Sequence, residues 1–338
     1  MELWRRALQP SAEDDSADVA PRWTTPGRLL LELPVLRLWD FSTGDGATPA
    51  LLIAPYALHD GRIADLAPGH SLVAALLREQ PRRLYLAEWK SATAATRNLS
   101  VDDLLGAVNV AVDEIGAPVD LIGLCQGGWL SLVYAARFPG KVRRLVVAGA
   151  PIDVNAEPSA LTALIEQTSD AQIQRLIDAG DGLVRGARMG PLWPHEGSWE
   201  KRLVESLEIS PPFDVAEVRD AVAAFEEWDR HFLDLPGPFY RQVVTLLYRE
   251  NRLARGNFPA LGRLVDLHAL RRPLYLLVGD RDAIAPPAQA LAAARIVSGP
   301  VTIARAPCAH LALFIGRRTL ATEWPRVAQW LSAKEAMT

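Results

Sequence analysis

Short continuous apolar runs alternate along the chain with stretches whose apolar residues recur at helical spacing. Leu51-Leu52-Ile53-Ala54, Leu84-Tyr85-Leu86, Val119 to Leu124, Leu145 to Ala148, Leu274 to Val278 and Val301 to Ala304 are such runs. Runs of that length, apolar on both faces, are what strands of a covered parallel sheet require. Helical patterns at Asp102 to Ile115, Gly128 to Phe138 and Pro287 to Ile296 fall between them. Strand and helix in alternation predict an α/β fold with a mainly parallel sheet flanked by helices.

The rhythm breaks from Val154 to Arg272, where the pattern is mostly helical and turns are expected at Pro211-Pro212 and Pro236-Gly237-Pro238. So long a segment without structure is uncommon in a compact domain, which predicts a helical insertion with its own small core. An insertion after a strand's carboxyl end lies over the site of an α/β sheet, as a cap would. The expected organisation is therefore a polar leader (1–25), an α/β core (26–153 with 273–338) and a helical cap (154–272).

Composition narrows the function classes. The chain has 338 residues, 49% of them hydrophobic, and a net charge of −4, without the basic balance of a nucleic-acid or anionic-membrane binder. Residues 1–25 lack the apolar run of a signal peptide, and no apolar run is long enough for a membrane span. With two cysteines, Cys125 and Cys308, no disulfide framework is expected, and the expected location is cytoplasmic.

One cysteine stands in a chemical context. The run Asp120 to Leu124 leads into Gly123-Leu124-Cys125-Gln126-Gly127, and a helical pattern follows at once. Strand, Gly-x-Cys-x-Gly and helix have the form of a nucleophile elbow with Cys as the nucleophile. The turn is tight enough to need small residues two positions either side, and it sets the sulfur at a helix N-terminus, which favours thiolate. A free Cys is often only a small buried hydrophobe, and Cys308, without this context, is read that way. The backbone N–H of Gln126, with that of Tyr56 or Ala57 after the Leu51 run, is the candidate oxyanion donor.

The chain order nucleophile, acid, His places the partners after the last two apolar runs. Gly279-Asp280-Arg281-Asp282 offers two carboxylates and Ala306-Pro307-Cys308-Ala309-His310 a histidine. Asp282 is preferred to Asp280, which is close enough to its run to cap the turn, and Asp153 is a third candidate. The remaining histidines lie away from the last run. Among the ten tryptophans, Trp129 behind the elbow and Trp193 and Trp228 in the insertion are candidates to line a substrate channel. No phosphate-binding loop, dinucleotide fingerprint or paired metal-ligand spacing occurs, so neither cofactor nor metal is expected.

With these residues in place, the sequence resembles the polyhydroxyalkanoate synthase and intracellular polyhydroxyalkanoate depolymerase superfamily, from about Thr48 to Trp330. Arg62 to Val73, Glu88-Trp89 and Leu99 to Asp103 look like synthase segments. Leu233 to Tyr240, Leu253 to Gly256 and His310 to Arg318 look like depolymerase ones. Ala309 stands where the family pattern has Gly. The resemblance implies an α/β-hydrolase fold with a Cys nucleophile, and its acid maps onto Asp282 before Ala283-Ile284-Ala285-Pro286. The function expected from it is hydrolysis of 3-hydroxyacyl polyester through an acyl-Cys intermediate. The alternatives are a synthase-like acyltransferase polymerising 3-hydroxyacyl-CoA and a non-catalytic granule-associated protein. A polymer granule surface and a second copy of the chain are the candidate partners beyond the ester substrate.

Overall fold

The computed structural model describes residues 20–45, 48–78, 82–190, 198–209 and 215–333. Each apolar run becomes a strand: β3 (Ala50–Ile53), β4 (Leu84–Trp89), β5 (Val119–Leu124), β6 (Val142–Ala148), β7 (Leu274–Gly279) and β8 (Val301–Ala306). Two more, β1 (Arg28–Glu32) and β2 (Leu36–Asp40), precede them. The sheet order is β1-β2-β4-β3-β5-β6-β7-β8. The first two strands are antiparallel to their neighbours and the rest pair in parallel. All residues of β3, β4, β5 and β7 are buried, whereas edge strands β1 and β8 keep exposed positions. That difference follows from helices covering both faces of the sheet's centre.

The longer helices of the core are α1 (Leu72–Arg78), α2 (Val101–Ile115) and α3 (Gln126–Arg137). Ser100 and Asp103 close a reciprocal capping box at the start of α2, a device worth roughly 1 kcal/mol. The expected helix at Pro287 to Ile296 forms as two short ones, Pro287–Leu291 and Ala293–Ile296.

Within 154–272 lie α4 (Ala160–Gln167), α5 (Asp170–Ala179), α6 (Trp199–Leu207) and α7 (Val215–Arg230). A helix at Gly237–Gln242 runs on into a π-helical stretch, Val243–Arg249. Two readings change here. Pro236-Gly237-Pro238 is not a free turn, because Leu235–Pro236 pairs with Leu183–Val184 and Gly237 opens the helix. The insertion also lacks a separate core: Leu161, Ile165, Phe225 and Trp228 join one continuous buried cluster with the sheet. Trp228, for example, packs on His59 in the loop after β3. Pro211-Pro212 lies outside the described residues.

Residues 1–19 are outside the description as well, but 20–25 are docked. The Trp23 ring meets Trp39 and Phe41 edge-on, and Thr25 bonds the buried Asp65 through its N–H and hydroxyl, both at 2.8 Å.

The last of the described helices is α8 (Arg317–Ser332), whose Leu320, Trp324, Val327 and Leu331 are buried. Its carbonyl end is held by three arginines of the sheet and its approach. Arg82 donates to Ala328 O, Arg143 to Leu331 O, and Arg144 to Trp330 O and Ala333 O. Positive charge at a helix C-terminus is favourable because unpaired carbonyls and the helix dipole concentrate there. Arg143 also pairs with the buried Asp120 at the start of β5. Among the described residues no helix is long and apolar enough to cross a membrane.

Candidate active site

The backbone makes the nucleophile turn before any side chain does. Cys125 closes β5 with φ 49° and ψ −116°, a conformation that costs an L-residue strain and that its surroundings must enforce. Its N–H bonds Ala148 O on β6 at 2.9 Å, and its carbonyl accepts the Gly128 N–H at 2.8 Å. The flanking glycines are required by contact. A Cβ on Gly123 would come within 2.5 Å of Gly127 O, and one on Gly127 within 2.3 Å of Ile53 O at the end of β3. The elbow is thus wedged between β3 and α3 with no room for a methyl group.

The loops after β7 and β8 bring the partners. His310 Nδ1–H donates to Asp282 Oδ2 at 2.7 Å, and the ring also hydrogen-bonds Cys125. Asp282 Oδ1 accepts the Ile284 and Ala285 N–H groups at 3.0 and 2.8 Å. The carboxylate that orients the histidine therefore also folds its own turn. Asp280 points elsewhere, bonding Arg305 at 2.7 Å, and Asp153 accepts from Asn251. Cys125, Asp282 and His310 are 9%, 4% and 8% exposed. Burial works against a charged His310, but the Asp282 and Cys125 charges and hydrogen bonds outweigh it and raise its pKa well above the ordinary value. The array favours a protonated His310. Cys308 is fully buried, and burial pushes its thiol up to about 12. It is a packing residue.

Replacing Asp282 with Asn removes the charge that holds the His310 proton. His310 becomes a weaker base that draws off the Cys125 proton less effectively, and its own titration moves toward lower pH. Alkylation of Cys125 by iodoacetamide at pH 7 is expected to slow about 10–100-fold, since each pKa unit is about 1.4 kcal/mol. An unchanged pH–rate profile would remove Asp282 from the array.

Cys125 and His310 open on a cavity of about 170 Å³ that Ala57, His59, Arg202, Trp228 and Arg281 also line. A second, more apolar cavity of about 70 Å³ adjoins it, shares Ala57 and Leu58, and is bounded by Tyr56, Gln126, Phe239 and Tyr248. Of the expected channel tryptophans, Trp228 lines the first cavity and Trp193 lies outside the described residues. Trp129 lines neither. It is buried against Phe258, and its Nε1–H donates to Gln126 Oε1 while Gln126 Nε2 donates to Tyr248 Oη at 3.1 Å. An indole one turn into α3 points back along the helix (helical side chains lean toward the N-terminus) and so braces the elbow rather than facing substrate. Tyr56 is stacked between Trp89 and Phe239, which leaves only its backbone for the oxyanion role.

Sequence reasoning passed over His59, Arg202 and Arg281. His59 and Arg281 follow β3 and β7, at the same carboxyl edge as Cys125, and that placement was the available signal. Arg202 reaches the cavity from α6 and pairs with Asp229 of α7, a contact no local pattern announces. Among the described residues no group of three or more His, Cys, Asp or Glu could hold a metal ion.

Comparison with known proteins follows the same lines. A family described as "Protein of unknown function (DUF3141)" matches residues 107–297. A poly(3-hydroxyalkanoate) polymerase subunit PhaC from Synechocystis sp. is 31% identical over 305 residues, covering 85% of this chain and 76% of that protein. The polymerase subunit of the same name from Allochromatium vinosum is 24% identical, covering 94% and 92%. Among solved structures, a hydrolase from Pseudomonas aeruginosa superposes with a TM-score of 0.52 at 16% identity, over 91% of this chain and 98% of that one. The mouse alpha/beta hydrolase domain-containing protein 10 gives 0.50 at 15%, over 91% and 98%. The fold is that of an α/β-hydrolase.

Proposed function

Because the chain belongs to the poly(3-hydroxyalkanoate) polymerase PhaC family, we propose that it is a Cys125-dependent acyltransferase that lengthens a 3-hydroxyacyl polyester from thioester units. The observation that carries this reading is the strained Cys125 elbow facing the His310–Asp282 pair over one cavity. The relatives support polymerisation better than the hydrolysis expected first from the sequence.

The chemistry runs in two steps. His310 takes the Cys125 proton, and the thiolate attacks the thioester carbonyl. The N–H of Gln126 and that of Tyr56 or Ala57 hold the oxyanion, where losing one donor typically costs about 10²–10³ in rate. The carbonyl–sulfur bond to the carrier breaks, and the leaving thiol takes the proton from His310. A hydroxyl from a second acyl unit or chain end then attacks acyl-Cys125 and gives its proton to His310. An ester forms and Cys125 is released. Arg281 makes no ion pair among the described residues and lies at the cavity, where its guanidinium suits an anionic thioester carrier. A polymer surface is the partner this reading implies.

The test is a paired assay on the purified chain. With 3-hydroxybutyryl-CoA, the expected result is CoA release accompanied by growth of an ester polymer. With amorphous polyhydroxybutyrate, no free 3-hydroxy acid is expected. Acid release from the polyester without CoA turnover would restore the hydrolytic reading.

A further inference from the structure

His59 sits in the loop after β3, with its ring between two aromatic groups of the insertion. The Trp228 ring lies 4.3 Å from it, centroid to centroid, and the Phe232 ring 5.1 Å. The backbone is clamped as well: His59 bridges to Phe232, and Leu233 N–H bonds Leu58 O at 2.8 Å. His59 Nδ1–H donates to His231 O at 3.0 Å, which fixes the tautomer and leaves Nε2 as an acceptor. Nε2 has no partner among the described residues.

Charges surround this ring without binding it. Asp60 accepts from Arg62 and faces the His231 ring, and Asp229 is paired with Arg202. Burial is the main influence and Arg202 adds to it. The His231 carbonyl, Asp229 and Asp60 oppose them, and the net effect lowers the His59 pKa to about 4. His59 is therefore a neutral ring at ordinary pH. It lines the same cavity as Cys125 and His310.

A neutral, oriented acceptor on a residue that lines a nucleophile's cavity selects for a donor on the bound group. We propose that His59 Nε2 accepts a hydrogen bond from the hydroxyl of the 3-hydroxyacyl group carried on Cys125, and so determines specificity for hydroxyacyl over plain acyl thioesters. The inference rests on the acyl-Cys125 reading above. It does not compete with His310 for a proton, because the hydroxyl is held while the carbonyl reacts. A site built around a hydroxyl discriminates strongly against an analogue lacking it, since its polar group is then left unpaired.

The experiment compares 3-hydroxybutyryl-CoA with butyryl-CoA, following CoA release together with the intact mass of the acylated chain. The intact chain is expected to acylate Cys125 from the hydroxyacyl thioester about 10²-fold or more faster, read as the second-order rate constant of single-turnover CoA release. His59→Phe keeps an aromatic ring between Trp228 and Phe232 but has no acceptor. It is expected to shrink that preference at least about tenfold, almost wholly by slowing the hydroxyacyl substrate. His59→Gln, which retains an acceptor, is expected to keep more of the preference than the Phe variant. Equal slowing of both substrates in His59→Phe, or an unchanged ratio, overturns the assignment. Failure of the acyl-Cys125 reading looks different: the unaltered chain shows no thioester-linked mass on Cys125 with either substrate, and the His59 assignment falls with it.

Discussion

Cys125→Ala is expected to lower CoA release from 3-hydroxybutyryl-CoA by at least about 10⁴-fold, because it removes the thiol that carries the covalent acyl intermediate. The fold is expected to survive. The strain at this position resides in the backbone, at φ 49°, and an alanine side chain meets it no worse than cysteine does. A urea midpoint unchanged within error, beside lost turnover, is the predicted pair of results. Labelling supplies the complement. Iodoacetamide is expected to add one group to the native chain at neutral pH and none to the variant, because Cys308 is fully buried with its thiol raised to about 12. Turnover surviving in Cys125→Ala would remove the acyl-Cys mechanism altogether, and label on Cys308 would show that the loop around His310 opens.

Gly127→Ala is expected to cost the most stability of any single methyl group in the site, about 3 kcal/mol or more. Its Cβ would stand 2.3 Å from Ile53 O and 2.9 Å from Ala54 O. Both obstacles are backbone at the end of a buried central strand, so neither can swing aside as a flexible side chain would. Either β3 or α3 must move, and each carries part of the site. Loss of Cys125 alkylation should therefore accompany the fall in urea midpoint. Gly106→Ala in α2 is the control, since a Cβ there meets nothing within 4 Å. That change is expected to stabilise by about 0.5–1 kcal/mol, from helix propensity alone. A Gly127→Ala variant as stable as the native chain would mean that the elbow is less tightly wedged than these distances require.

The parts legible in the sequence are those whose physics is local. Strands β3 to β7 announce themselves because burial on both faces leaves largely apolar runs, and edge strand β8 does so through Val301, Ile303 and Ala304 although it keeps exposed positions. The elbow does so because its crowding demands glycine at fixed offsets from Cys125. Strands β1 and β2 stay hidden for the opposite reason. Arg37 and Asp40 of β2 are buried charges, neutralised by Glu32, Glu88 and Arg28 from β1 and β4, and such pairing has no signature in one segment read alone. Helix α8 was equally inconspicuous, with Pro325 in its interior. Trp129 was misread because nearness in sequence to a nucleophile does not say which way an indole leans. His59 could not be assigned a role from its own segment, since its tautomer and stacking come from His231, Trp228 and Phe232, about 170 residues farther along.

Helix α8 has a consequence in time rather than in space. The turn that follows His310 is fastened to this helix through Trp324 Nε1–H, which donates to Leu313 O at 2.7 Å, and the arginines hold the helix by its far end. Cys125 is synthesised 185 residues ahead of His310 (310 − 125) and further still ahead of the residues that fasten it. At about 5–20 residues per second, the thiol emerges roughly 10–40 s before its base exists. Throughout that interval the elbow has no imidazole to draw off its proton. A nascent chain therefore carries its nucleophile unarmed, and reactivity begins only when the last helix seats.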